Sequence, residues 1–117
     1  MTGQRIHRTT LEIRAILVER FPLCFLPKGY QKTPIKICIR PDIRAACPEI
    51  SEIEIDRALR DYCGGFKYLK NLIEGIQRVD LSGAPTGTVT QDEAGYALIR
   101  ISKIQEKARA YMKRRVV

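Results

Sequence analysis

From Arg57 onward the chain sets Arg60, Lys67, Lys70 and Arg78 among Tyr62 and Tyr68, then runs into a turn-rich string, Arg78-Val79-Asp80-Leu81-Ser82-Gly83-Ala84-Pro85-Thr86-Gly87. Guanidinium and ammonium groups meet phosphates, tyrosine rings stack on bases, and glycines let a sugar-phosphate chain approach the main chain. That mixture suits a nucleic acid far better than a small-molecule reaction. Arg78 has two openings: residues two apart on a strand share a face, so it can pair with Asp80 or hold its guanidinium toward a phosphate.

Catalysis is hard to build from these residues. His7 is the sole histidine, near the N-terminus, with no carboxylate fixed beside it and no strained nucleophile turn in the chain. Neither an enzyme nor a cofactor is expected. Cys24, Cys38, Cys47 and Cys63 are widely and irregularly spaced, without the close pairs that let two thiolates grip one zinc. They read as small buried thiols in a reducing compartment, with no metal. Glu52, Glu54 and Asp56 fall in the first turns of a helix, where the macrodipole favours negative charge, so they do not require a cation.

At 117 residues the chain makes one domain, and 21 Lys plus Arg against 13 Asp plus Glu give it a net charge of +8. An anionic partner follows from that excess. Arg5, Arg8, Arg14, Arg20 and Lys28 load the N-terminal quarter, and Arg100, Lys103, Lys107, Arg109, Lys113, Arg114 and Arg115 load the last helix. No run reaches the ~18 apolar residues that cross a bilayer, and the polar start does not resemble a signal peptide. A cytoplasmic protein without a membrane partner is expected.

The elements that must position the basic and aromatic residues are legible in outline. Thr9 or Thr10 caps a first helix over about residues 10–20, which Phe21-Pro22 ends. Residues 22–34, with Pro22, Pro27, Gly29 and Pro34, read as an ordered basic loop carrying Lys28 and Lys32, pinned by Phe25 and Tyr30. Ile35-Lys36-Ile37-Cys38-Ile39 alternates like a strand, yet Pro41 suits the start of a short helix that carries Ile43 inward. Ser51 and Glu54 form a capping box for a third helix bearing Ile55, Leu59 and Tyr62, interrupted at Gly64-Gly65.

Phe66, Leu69 and Leu72 then share a short helical face, which turns Lys67, Lys70 and Tyr68 outward, whereas Tyr62 completes an apolar face. Gln77–Leu81 and Pro85–Val89 flank a hairpin turn at Ser82-Gly83. Thr90 and Glu93 make another capping box. The last helix aligns Ala94, Ala97 or Leu98, Ile101, Ile104 and Ala108 along one stripe. The whole is α+β, mostly helical with one or two short β-hairpins: a flexible basic N-terminus over 1–9, a body over 10–112, and a basic tail over 113–117. Charge and the Gly64-Gly65 turn leave a helix-turn-helix DNA-binding regulator open, and a basic ribosome-associated interaction module as well.

Between Leu11 and Ala110 the chain resembles the ProQ/FinO domain of bacterial RNA chaperones. The marks are Glu19-Arg20-Phe21-Pro22 with Cys24-Phe25, Pro34-Ile35-Lys36-Ile37, Ala58-Leu59-Arg60-Asp61-Tyr62, Tyr68-Leu69, and Arg78-Val79-Asp80-Leu81-Ser82-Gly83 with Pro85 and Gly87. The resemblance implies an elongated FinO-like domain, expected to be a monomer. It implies recognition of a terminator-type hairpin with a single-stranded 3′ end, in small or antisense RNAs and their mRNA targets, for post-transcriptional regulation.

It also implies that Lys36 and Arg60 contact phosphates, and that Lys67, Tyr68 and Arg78 line a pocket for the 3′ nucleotides. Thr90 supplies a nearby helix N-terminus. Tyr62 and the loop cations Lys28 and Lys32 complete the candidate RNA-binding set. Two departures stand out: Glu52, Glu54 and Asp56 form an acidic edge that weakens phosphate attraction, and Cys63-Gly64-Gly65 replaces a hydroxyl-rich stretch. Long basic extensions are absent from this chain, as in a minimal member or an isolated domain.

Overall fold

Three capping boxes set the starts of the three longer helices in a computed structural model that describes residues 7–116. Thr9 Oγ1 accepts from the Glu12 N–H while the Glu12 carboxylate accepts from the Thr9 N–H, which starts α1 at Thr10–Arg20. Ser51 and Glu54 exchange the same pair of bonds before α3, Glu52–Cys63. Thr90 and Glu93 do so before α5, Gln91–Val116. Each box satisfies two backbone donors that a helix start leaves without partners. Between them lie α2, Arg40–Ala46, with Pro41 in its first turn, the single turn α4, Phe66–Leu69, and the strands β1, Gln77–Val79, and β2, Pro85–Thr88.

The core sits where α1 and α2 pack on α3. Ile13 and Leu17 of α1, Ile43 of α2 with Cys47 at its C-cap, and Ile55, Ala58 and Tyr62 of α3 are all essentially inaccessible to solvent. Phe25 from the 22–34 loop meets Tyr62 edge-on, ring centroids 5.0 Å apart at 76°, a geometry that ring quadrupoles favour. The Tyr62 hydroxyl accepts from the Leu26 N–H at 3.0 Å, so the loop is tied to α3 by both ends of one side chain. Gly64 closes α3 because a Cβ there would stand 2.7 Å from the Arg60 carbonyl oxygen.

β1 and β2 pair antiparallel with Gln77 opposite Thr88 and Val79 opposite Pro85, one extra residue being taken up on β2. The Asp80 carboxylate holds the turn, accepting from the Ser82 N–H, the Ser82 hydroxyl and the Ala84 N–H. Gly83 has φ +85° and a Cβ on it would lie 2.7 Å from Leu23 Cβ, so this turn needs glycine twice over. Of the alternation at residues 35–39, only a parallel bridge between Ile35 and Val79 forms. Cys38, at φ +60°, then turns the chain into α2.

The described residues measure 46 × 45 × 21 Å with a radius of gyration of 16.2 Å, against about 13 Å for a compact domain of this length. This flat, drawn-out form matches the expected mostly helical α+β fold. Several local expectations need correction. Arg8 is not part of a loose end: its backbone N–H and guanidinium reach the Glu54 carboxylate at 2.8 and 3.0 Å. Arg5 and the rest of residues 1–6 lie outside the described residues. The final helix runs on through the expected tail to Val116. Cys24 and Cys47 are buried thiols, but Cys63 is half-buried and Cys38 is exposed on its bend.

Glu54 belongs to the core's edge, 5 % exposed, so its place in an acidic surface edge is also corrected. Hydrogen bonds from Arg8, and secondarily from Ser51, hold its carboxyl well below the usual carboxylate range. A carboxyl depressed in the folded state contributes stability above its unfolded value of about 4.3 and loses it as pH falls below that. Glu54→Ala should therefore cost about 2–4 kcal/mol in denaturant unfolding at pH 7, with the deficit relative to wild type shrinking between pH 5 and pH 2. A deficit independent of pH would show that the ion pair contributes nothing.

Candidate nucleic-acid interface

A cleft of about 380 Å³ opens where the Ile35 segment, α2, α3, α4 and β1 converge. One wall is Ile35, Lys36, Cys38 and Ile39; α2 adds Arg40 and Pro41; α3 adds Asp56, Leu59 and Cys63; Tyr68 and Arg78 stand at the back. α3 can serve core and cleft together because residues 56, 59 and 63 recur at helical spacing beside the buried row of Ile55, Ala58 and Tyr62. Most of the wall is apolar, with a few polar groups converging on it, the usual composition of a ligand pocket.

The back of the cleft is a polar clamp on the backbone of one residue, Ile35. The Tyr68 hydroxyl accepts from the Ile35 N–H at 3.1 Å, and Arg78 Nη1 donates to the Ile35 carbonyl at 2.8 Å. Arg78 Nη2 pairs with Glu93 Oε1 at 3.0 Å, the same oxygen that accepts from the Thr90 N–H. Arg78 is only 7 % exposed, and among the described residues its Nε is the one buried side-chain donor without a hydrogen-bond partner. Such a donor costs about 1–3 kcal/mol when left unmet. Burial raises the Tyr68 phenol above its ordinary range and pushes the Cys63 thiol up to about 11, so both stay protonated at neutral pH.

The cations of the cleft are all countered. Lys36 Nζ lies 2.7 Å from Asp42, which raises its pKa, and Arg40 Nη1 lies 2.6 Å from Asp56. Asp56 also faces Arg60 at 3.7 Å.

Of the residues expected to bind, the structure brings together Lys36, Tyr68 and Arg78. Tyr68 does not emerge beside Lys67: it is 4 % exposed, with its ring 5.7 Å from that of Tyr62. Phe66, assigned to the buried face, is 44 % exposed instead. A single turn has no period to read, and α4 is oriented by its packing on α3 and α5. Arg78 ignores Asp80, which is consumed by its own turn, and takes Glu93.

The remaining candidates lie apart from this cleft. Lys67 donates to the Gly29 carbonyl at 3.0 Å, and Thr90 reaches the cleft only through Glu93. Tyr62 is a core ring, its hydroxyl occupied by Leu26 and its phenol pushed up to about 12 by burial. Lys32, read as a loop cation, is buried against the Tyr62 ring at 5.4 Å, and desolvation lowers its pKa. Arg60 and Lys28 are exposed and line a neighbouring depression with Arg57.

Sequence reasoning did not place Arg40 or Cys38 at the cleft, saw Glu93 only as a capping-box acid, and read Asp56 as a helix-start acid on an edge that weakens phosphate attraction. Pro41 at a helix start was the available signal for Arg40, since the flanking side chain there is set by the bend. Glu93 gave no signal toward Arg78, because their pairing depends on where the packing of α5 on α4 leaves the first turn of α5. The helix-turn-helix alternative loses its reading helix: after Gly64-Gly65 comes one turn of four residues with Tyr68 buried. Among the described residues no helix is long and apolar enough to cross a membrane, and no group of His, Cys, Asp and Glu is disposed to hold a metal.

Similarities to known proteins converge on one family. The chain is 39% identical over 104 residues to the RNA chaperone ProQ of Shewanella oneidensis, covering 86% of this chain and 48% of that protein. It is 35% identical over 99 residues to the RNA chaperone ProQ of Histophilus somni, covering 82% and 46%. The chain thus spans about half the length of these relatives. The NMR solution structure of a ProQ homolog from Legionella pneumophila superposes with a TM-score of 0.72 at 29% identity, covering 88% of this chain and 91% of that one. The crystal structure of a FinO-like RNA chaperone from Neisseria meningitidis does so with a TM-score of 0.64 at 28% identity, covering 75% and 88%. The ProQ/FINO family model matches residues 8–114, and the chain belongs to that family.

Proposed function

We propose that this domain binds structured RNA as an RNA chaperone, seating the 3′ end of a terminator-type hairpin in the cleft behind Lys36. The observation that carries this reading is Arg78: a buried guanidinium in the cleft wall with its Nε still lacking a partner, beside the Tyr68 hydroxyl. A ribose hydroxyl or phosphate oxygen at the end of a single strand meets such a donor, whereas a continuous duplex does not fit into a cleft of this size. Lys36 and Arg40 at the mouth, with Arg60 and Arg57 on the adjoining surface of α3, give the preceding phosphates their counter-charge. Relatives named as RNA chaperones support the assignment of the partner class. A cytoplasmic monomer acting on small RNAs and mRNA 3′ ends, without catalysis, is the setting this implies.

Three RNAs titrated at one ionic strength test it: a hairpin with a free uridine-rich 3′ tail, the same hairpin without the tail, and the tailed hairpin ending in a 3′ phosphate. The free-ended RNA should bind at least tenfold more tightly than either other, a difference of about 1.4 kcal/mol. Equal affinities would reduce the domain to a general basic surface.

Burial changes what mutation at the cleft should do. Tyr68→Ala removes a packed ring and should destabilise the fold by about 3–5 kcal/mol, so it reports on folding. Tyr68→Phe and Arg78→Lys keep most of the volume, and each should weaken binding of the free-ended RNA several-fold while circular dichroism stays native; unchanged affinity in both would exclude the clamp from recognition. Lys36→Ala removes a contact and leaves Asp42 unpaired at the mouth. The log–log salt dependence of affinity should flatten by about 0.7–0.9, and an unchanged slope would show that Lys36 meets no phosphate.

A further inference from the structure

Among the described residues Asp56 is the only carboxylate in the wall of the cleft. Asp42 and Glu93, which counter Lys36 and Arg78, are not among the lining residues. Asp56 lies 2.6 Å from Arg40 Nη1 and 3.7 Å from Arg60 Nη2, with its side chain 37 % exposed. It therefore faces whatever enters while restraining two of the arginines nearest the mouth.

From this we infer that Asp56 is a specificity-determining residue, selecting an RNA terminus that ends in a hydroxyl over one that ends in a phosphate. The inference rests on the 3′-end reading above. Its chemistry is one of opposite responses. An ionised carboxylate only accepts hydrogen bonds, and a ribose hydroxyl has a proton to donate to it. A terminal phosphate carries about 1.5 to 2 negative charges at neutral pH and brings the carboxylate no such donor.

The cations do not offset that repulsion, because Lys36, Arg40 and Arg78 are matched one for one by Asp42, Asp56 and Glu93. The cleft is balanced in charge although the chain is strongly basic. It accepts the backbone phosphates its mouth can share with Arg57 and Arg60, and resists a further anion at the end.

The test uses the full chain and two tailed hairpins that differ only in a 3′ hydroxyl or a 3′ phosphate, with the ratio of their dissociation constants as readout. In Asp56→Asn the repulsion is gone and Arg40 and Arg60 are released, so the phosphate-to-hydroxyl ratio should fall about tenfold, the scale of one charge about 4 Å away in a dielectric close to that of water, as suits a part-exposed position. Asp56→Glu should preserve the preference. Glu52→Gln, which removes a carboxylate paired with Arg44 outside the cleft, should leave the ratio at its wild-type value. A wild-type protein that discriminates while Asp56→Asn keeps the same ratio would overturn the role of Asp56 alone. A wild-type protein that does not discriminate at all would overturn the 3′-end reading, and this inference with it. Asn is isosteric and position 56 is part-exposed, so melting temperatures should match within a few degrees; a ratio that followed stability across the variants would count against the proposal.

Discussion

The buried guanidinium of Arg78 is the constraint on which the site depends. From β1 it reaches the carbonyl of Ile35, which has no regular secondary structure around it, and the carboxylate of Glu93 at the start of α5. Tyr68 takes the N–H of the same residue, and the Lys36 N–H reaches the Val79 carbonyl at 2.8 Å. Without these bonds the 35–39 segment would be a loop with buried, unmet backbone groups. With them it becomes one wall of a cleft whose back is rigid before any ligand arrives. Such a wall keeps the entropic cost of ordering a binding site inside the folding free energy instead of adding it to binding.

What was legible in the chain and what was not divides along sequence distance. Ser51 with Glu54, Thr90 with Glu93, Pro22 after Phe21, and the turn at Ser82-Gly83 are local signals, each complete within four residues, and each appears where it was expected. Tyr68, Arg78 and Cys38 answer to partners far along the chain. Tyr68 points inward because Ile35, 33 positions earlier, offers an N–H there, and Arg78 turns to Glu93 because α5, packed on α4, brings that carboxylate within reach. Periodicity cannot register such partners, least of all across the four residues of α4. Lys36, Tyr68 and Arg78 are nonetheless candidates by family likeness and by residue type, although neither signal contains the clamp that Tyr68 and Arg78 form on Ile35.

The acidic edge is the place where reading charge along the sequence misleads most. Glu52, Glu54 and Asp56 look alike there, as three negatives on one helix start. In space each has a different arginine and a different task. Glu52 pairs with Arg44 in solvent, where an ion pair is worth little; Glu54 is buried in a capping box and an Arg8 clasp; Asp56 looks into the cleft. Net charge draws an anion toward the whole molecule, whereas these pairings decide what happens in the last few ångströms.

A polar clamp and balanced charges inside an apolar-walled cleft come at a stability cost, since an unmet Arg78 Nε and a Cys38 at φ +60° are both unfavourable in isolation. The core around Tyr62 and the three capping boxes are what offset it. The compensation is spatially separate from the cleft mouth: the boxes lie at helix starts and the Phe25–Tyr62 contact lies under the loop. That separation lets residues 36, 40 and 56 vary in charge with little effect on folding, because their side chains are all about a third or more exposed. Position 78 has no such freedom, for its guanidinium is at once a strut of the fold and the donor proposed to meet the RNA end.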